Sequence, residues 1–270
     1  MRGGVNHVVD VSQFYPPMKA HIKRLNYSCS EENSHLNAAC LLEGPFTLRV
    51  TWLKMLFLQS DLSDFQAIVK AAGPALQHLI VTITWGVLDS LLSLGELDLS
   101  CSTHLTSLLV HVPVDMVLIL WLHGFLSRVD PTCGHIERIS IHLQLTDMGS
   151  EGPSLTNLID WAPIAQQLSR IAHSFKGPSS MVVTFYLDTI PRYVAHSRAD
   201  AARQAMADLL QQHLQVLQTE RCRLRMVRAN IRHTSTIIQD TPFKHVTVTT
   251  LYDSEPNGVM IPDISILKEA

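Results

Sequence analysis

Cys101-x-x-His104 and Cys133-x-His135 form two close pairs of soft ligands, each just ahead of an apolar stretch. Two thiolates and two imidazoles make a set that zinc accepts in a tetrahedron. The second spacing is tighter than structural zinc sites use, and a chain with 14 histidines produces such pairs by chance, so neither zinc nor another cofactor is expected. Ser107, His111 and Asp115 supply the residue types of a hydrolytic triad, but nothing in their spacing positions them for proton transfer. Cys101 and Cys133 lack a neighbouring cation that would stabilise a thiolate. The chain has no glycine-rich phosphate loop, nucleophile elbow or paired-histidine protease motif. On these grounds no enzymatic activity is expected.

A basic run offers binding chemistry instead. Arg221, Arg223 and Arg225 alternate with Cys222, Leu224 and Met226, and Arg228 and Arg232 follow. On a strand the three arginines share one face, where their planar guanidinium groups could pair with acidic groups of a partner. The competing and favoured reading is a solvated edge strand kept from aggregating by its charges.

The elements that would carry these residues follow from a recurring L-x-x-L-x-L pattern. It occurs at Leu53–Leu58, Leu76–Val81, Leu105–Val110 and Ile136–Ile141, more loosely at Val182–Leu187, and in degraded form at Cys222–Met226. The last two apolar positions of each copy are two apart, which puts both on one face of a strand, and the leading residue can enter the same core from the preceding corner. Helical spacing lies between the copies. One stripe runs from Leu62 to Ala72 behind Asp61 and Asp64 and ends at Gly73-Pro74. The next, Val114–Val129, is apolar nearly all round and reads as buried. A third runs from Ile159 to Phe175 and is closed by Gly177-Pro178, and a fourth spans Ala202–Leu217. Leu94–Leu99 also fits the pattern but reads as the end of a helix from Trp85 and its corner. Trp52, Trp85, Trp121 and Trp161 read as core residues.

One strand and one helix per unit of some 20–30 residues is the mark of a leucine-rich solenoid. The expected fold class is therefore α/β, a leucine-rich-repeat-like solenoid with parallel strands on one side and helices on the other. Three regions are expected: an irregular segment over 1–45, the repeat domain over 46–231 and a C-terminal cap or edge segment over 232–270. Leu56, Leu58, Leu79, Val81, Leu108, Val110, Ile139, Ile141, Phe185 and Leu187 should line one buried face. Lys54, Phe57, Ile80, Thr82, Ser107, Leu109, His111, Arg138, Ser140, His142, Thr184 and Tyr186 should be exposed in rows on the other. Of these, Arg138, Ser140, His142, Thr184 and Tyr186 are the expected partner-binding residues.

These copies resemble the leucine-rich region of fungal F-box proteins. The likeness rests on three stretches: Leu53–Val81 with its Ser63-Asp64-Phe65 helix opening, Leu97-Asp98-Leu99-Ser100 followed by Leu105–Leu108, and the Asp160-Trp161 helix leading to Val182–Leu187. The resemblance implies repeats that present a surface to a protein substrate. It also implies an N-terminal module that docks on a ubiquitin-ligase adaptor, but residues 1–45 contain no Leu-Pro-x-Glu-Ile-type segment, so docking on that adaptor is not carried over.

Composition narrows the remaining classes. With 46% hydrophobic residues the chain can fill a continuous core, and a net charge of −3 supplies no basic field for a phosphate backbone, so nucleic acid is not an expected partner. Five scattered cysteines suit reduced thiols, and the first residues lack the apolar run of a signal peptide, so a cytoplasmic or nuclear location is expected. The most apolar run, Val114–Leu126, contains Asp115 and His123 and is shorter than the ~20 residues of a membrane span, so no membrane partner is expected. The alternative to an interaction module is an enzyme on a doubly wound α/β fold, whose strands would read as unbroken apolar runs. Thr106-Ser107, Glu137-Arg138, Ser140 and His142 break these strands and favour burial on one face only.

Overall fold

The computed structural model describes residues 20–29, 34–44, 46–57, 62–83, 97–129, 135–145, 159–189, 196–218, 221–231 and 246–253. Strand–helix units succeed one another along the chain. β1 (Ala20–Cys29), α1 (Ser34–Glu43), β2 (Phe46–Phe57) and α2 (Leu62–Ala72) come first. They are followed by β3 (His78–Ile83), β4 (Ser107–Pro113), α3 (Met116–Ser127) and β5 (Arg138–Leu145). The rest are α4 (Ala162–Ser174), β6 (Met181–Thr189), α5 (His196–His213), β7 (Cys222–Ile231) and β8 (Val246–Asp253). All eight strands form one sheet in sequence order; β1 to β7 are parallel, and β8 pairs antiparallel with β7.

Strand order that never reverses has a physical consequence. Right-handed crossovers between strands that always advance in one direction leave the described helices on the same face. The burial agrees. Phe65, Ile68 and Val69 of α2, Leu122 and Phe125 of α3, Leu168 and Ile171 of α4, and Met206 and Leu210 of α5 share one apolar cluster with Leu53, Leu79, Leu108, Ile139, Val183 and Leu224 of the strands. Ile80, Leu109, Tyr186 and Val227, on the opposite sheet face, are buried but lie outside that cluster. The order also contains no reversal point, the feature at which a doubly wound sheet opens a ligand crevice.

The inward rows match the expected pattern in the middle of the sheet. Leu79, Leu108 and Ile139 align, as do Val81, Val110 and Ile141, and all are fully buried. The leading residues Leu76, Leu105 and Ile136 are buried from the corners. Those corners repeat: Gln77 N donates to Thr51 O, Thr106 N to Gln77 O, Glu137 N to Thr106 O and Val182 N to Glu137 O, at 2.8–2.9 Å.

The outer copies differ. Leu53 and Met55, not Leu56 and Leu58, pair with Leu79 and Val81; Leu56 sits half-buried on the other face, and Leu58 lies outside the described residues. Phe57 falls on the helix-packed parity instead of the outward one. The run Leu53–Leu58 is apolar at five of its six positions, three of one parity and two of the other, so composition alone leaves its parity undecided. Phe185 and Leu187 are buried as expected, although they align with Ile141 and Leu143, one pair further along the strand. Register equivalents are thus 26 residues apart from Leu53 to Leu79, 29 and 31 for the next two units, and 44 and 41 for the last two.

Regular structure also begins before residue 46. β1 joins the sheet and α1 contacts α2 and β2, although residues 1–45 carry no visible period. A bulge hides the pattern: between Ile22↔Leu48 and Arg24↔Trp52, β1 supplies one residue where β2 supplies three. At the other end β7 is not an edge, because β8 pairs with it; the expected edge strand is β8.

The helices are set by local signals. Gly73 takes φ +51° where α2 ends, and Asp115 Oδ1 accepts from Val117 N at 2.8 Å to cap α3. α3 is not buried all round: Leu120 is 64% exposed and Val117 also faces out, because a helix lying on one sheet face keeps a solvent side whatever its composition. The C-terminus of α3 is closed from a distance. Arg170 of α4 donates from Nη2 to the carbonyls of Leu126 (2.9 Å), Ser127 (3.2 Å) and Val129 (3.0 Å). Trp121 and Trp161 are core residues, whereas Trp52 is half-buried on the helix-free face with the Arg24 guanidinium 5.9 Å above its ring; Trp85 lies outside the described residues. No helix among the described residues is long and apolar enough to cross a membrane.

Candidate functional site

Register places the helix-free side chains in rows that run across the strands. One row reads Trp52, His78, Ser107, Arg138, Val182, Arg223. The next reads Lys54, Ile80, Leu109, Ser140, Thr184, Arg225, and the third Leu56, Thr82, His111, His142, Tyr186, Val227. The five expected partner-binding residues therefore meet: Ser140 pairs with Thr184, His142 with Tyr186, and Arg138 stands one step along the same strand.

Their exposure differs from the sequence expectation. Arg138 is exposed, but Ser140, Thr184, Tyr186 and His142 are all buried, His142 to 3%. Ser107, Ile80 and Leu109 are buried too, while Lys54, Thr82 and His111 are half-buried. Alternation along a strand decides which face a residue takes but not how much water reaches it. That depends on what packs against the side chain from elsewhere in the chain.

His142 shows how. Its ring stacks on His111 with centroids 4.1 Å apart and planes 9° from parallel, and the Tyr186 ring meets it edge-on at 6.5 Å. His142 Nε2 also lies 3.7 Å from Asp188 Oδ2, an ion pair whenever the imidazole is protonated. Burial pushes the Tyr186 phenol above its usual 10.0, against the pull of the Arg225 and Arg138 charges and of its hydrogen bond with Ser140. Tyr186 therefore stays protonated and neutral at physiological pH.

The sequence reading missed the extension of this cluster. Asp188 continues the 184–186 alternation of β6 and is 2% exposed; its Oδ1 accepts from Thr189 N at 2.8 Å. Thr189 Oγ1 accepts from Arg203 Nη2 at 2.6 Å, and Arg203 Nη1 pairs with Asp200 at 2.8 Å, which also takes Arg228 at 3.0 Å. Parity alone would have put Asp188 on this face. Arg203 lay beyond reach, because it comes from the buried side of α5. The network holds the C-terminal ends of β6 and β7 to α5 by charge-assisted bonds.

The other candidates separate. Ser107 and His111 lie in different rows of β4, and Asp115 is engaged as the α3 cap, so the three do not converge. His104 and His135 do come together, with rings 6.3 Å apart and 16° from parallel, and His104 Nδ1 donates to Pro74 O at 2.8 Å. Cys133 lies outside the described residues, and among those described no group of three His, Cys, Asp or Glu residues has metal-binding geometry. Cys222, Leu224 and Met226 are buried while Arg223 and Arg225 are half-buried, which bears out the alternation read from the sequence.

The helix-free positions of β1–β7 beyond the bulge carry Arg24, Lys54, Arg138, Arg223 and Arg225 against the single acid Asp188. This balance is opposite in sign to the net charge of the chain, −3. Comparison with protein-family models, curated proteins and solved structures finds no match to this chain.

Proposed function

We propose that this chain is a non-catalytic protein-interaction module of the leucine-rich-repeat kind, akin to the substrate-recognition region of F-box proteins, and that it takes its partner on the helix-free face of the sheet. The observation that carries the reading is the in-register set Arg138, Ser140, His142, Thr184 and Tyr186 on a face to which the apolar cluster of the helices does not extend. Shielded Ser140, His142, Thr184 and Tyr186 give that face a fixed shape, and exposed Arg138 with half-buried Arg223 and Arg225 borders it with charge. Ser140, His142, Thr184 and Tyr186 are already buried within the chain, so direct contact with a partner falls to Arg138, Arg223 and Arg225. The basic balance suits an acidic partner. The rim cations already interact within the chain, so a partner would extend existing networks.

The test compares an Arg138→Glu, Arg223→Glu variant with a Gln166→Glu control on the outer side of α4. Partners captured by the parent and by Gln166→Glu should be lost from the double variant while its melting temperature is kept. Equal capture by all three would refute the reading.

A further inference from the structure

The corners ahead of β4 and β5 are built alike. Thr106 N donates to Gln77 O at 2.8 Å in one, and Glu137 N to Thr106 O at 2.9 Å in the next. His104 stands two residues before Thr106, and His135 two before Glu137. Their spacing of 31 residues equals the β4–β5 register, Ser107↔Arg138. Leu105 and Ile136, which follow them, are each 1% exposed and pin both corners to the core. Equivalent positions on neighbouring strands lie about 4.8 Å apart, so the two imidazoles leave the backbone side by side. Their ring centroids are 6.3 Å apart with planes 16° from parallel, and both residues are exposed.

His104 is oriented from behind. Its Nδ1 donates to the Pro74 carbonyl at 2.8 Å, which keeps the proton on that nitrogen and leaves the Nε2 lone pair for a ligand. Metal-binding histidines are held in the same way, with the other ring N–H given to a carbonyl. His135 has no hydrogen-bond partner among the described residues, so its ring can turn.

We propose that His104 and His135 together bind one divalent first-row transition-metal ion such as zinc, with water completing its coordination. With metal–nitrogen bonds of ~2.0–2.1 Å, a tetrahedral ion needs the ring centroids about 5 Å apart, and turning the His135 ring closes the remaining gap of about 1 Å. Imidazole nitrogens select zinc, copper and nickel over magnesium and calcium, which prefer oxygen. No third His, Cys, Asp or Glu ligand joins the pair among the described residues, so the ion is exchangeable and not a structural one. The site does not depend on the helix-free face.

Zinc is titrated into the full chain at neutral pH while the ring resonances of both histidines are followed by NMR, with magnesium as the comparison ion. Both rings should shift together, with one zinc per chain and a Kd below about 100 µM, and magnesium should move neither. His135→Gln should weaken zinc at least about ten-fold and abolish the shift of His104, and His104→Gln should do the same to His135, because either change removes the chelate. His135 makes no hydrogen bond, so His135→Gln should keep the melting temperature. His173→Gln, at an exposed position on α4, should leave zinc binding unchanged. Zinc binding weaker than about 100 µM, a shift of one ring without the other, unchanged affinity in both corner variants, or an equal loss from His173→Gln would overturn the proposal.

Discussion

Arg170→Met tests how neighbouring units are tied together. The side chain closes the C-terminus of α3, where backbone carbonyls have no partner within the helix. Nη2 carries only two protons, so its three contacts at 2.9, 3.0 and 3.2 Å amount to two full bonds, to Leu126 O and Val129 O, with Ser127 O sharing. Leu126 and Val129 are both buried, so water does not freely replace the guanidinium. A charge-assisted bond contributes ~1.5–3 kcal/mol. A cation at a helix C-terminus adds ~0.3–1 kcal/mol. Arg170 itself is only half-buried, which pulls the total toward the low end, about 2–4 kcal/mol. Met keeps the apolar stem, so the loss reports the bonds and not the packing. Urea unfolding should show a lower midpoint with an unchanged slope. A variant within about 0.5 kcal/mol of the parent would refute the reasoning, because the α3 carbonyls would then be satisfied without Arg170.

Leu53→Ala, at a fully buried position, should cost ~2–5 kcal/mol, and Leu56→Ala, half-buried on the other face, under about 1.5 kcal/mol; denaturant midpoints that reverse this order would show the β2 register to be wrong. Ile139→Ala in the centre of the core should fall in the same ~2–5 kcal/mol range by the same assay. Burial pushes the Cys222 thiol up to about 12, so at pH 8 a maleimide should label exposed Cys40 and half-buried Cys101 but not Cys222 until the chain unfolds. The same shift gives stability that is constant below about pH 9 and falls as the pH rises toward 12, because only the unfolded thiol ionises in that window; a flat urea midpoint across it would contradict the burial. A Cβ at Gly177 would meet the ring of buried Phe175 at 2.1 Å, so Gly177→Ala should destabilise by ~1–3 kcal/mol in thermal melts.

The legible part of the fold was the part with a clean period. Leu76–Val81, Leu105–Val110 and Ile136–Ile141 repeat one spacing in one register, and their corners, inward pairs and parallel pairing follow from it. Parity fails as a guide where both faces are apolar, as at Leu53–Leu58, and where a bulge breaks the count, as at Lys23. Exposure is harder to read than parity because it depends on neighbours across strands. His142 between His111 and Tyr186 is sequence-distant packing that no local pattern encodes. Arg170 and Arg203 escaped notice for the same reason: their bonds reach 41–44 and 14 residues along the chain.

The most direct test of the central reading places a photo-crosslinking amino acid at position 138 on the helix-free face, and in a second chain at position 166 on the outer side of α4. The account predicts protein adducts from position 138 that acidic peptide competes away, and none from position 166. Adducts from position 166 alone, or equally from both, would contradict it.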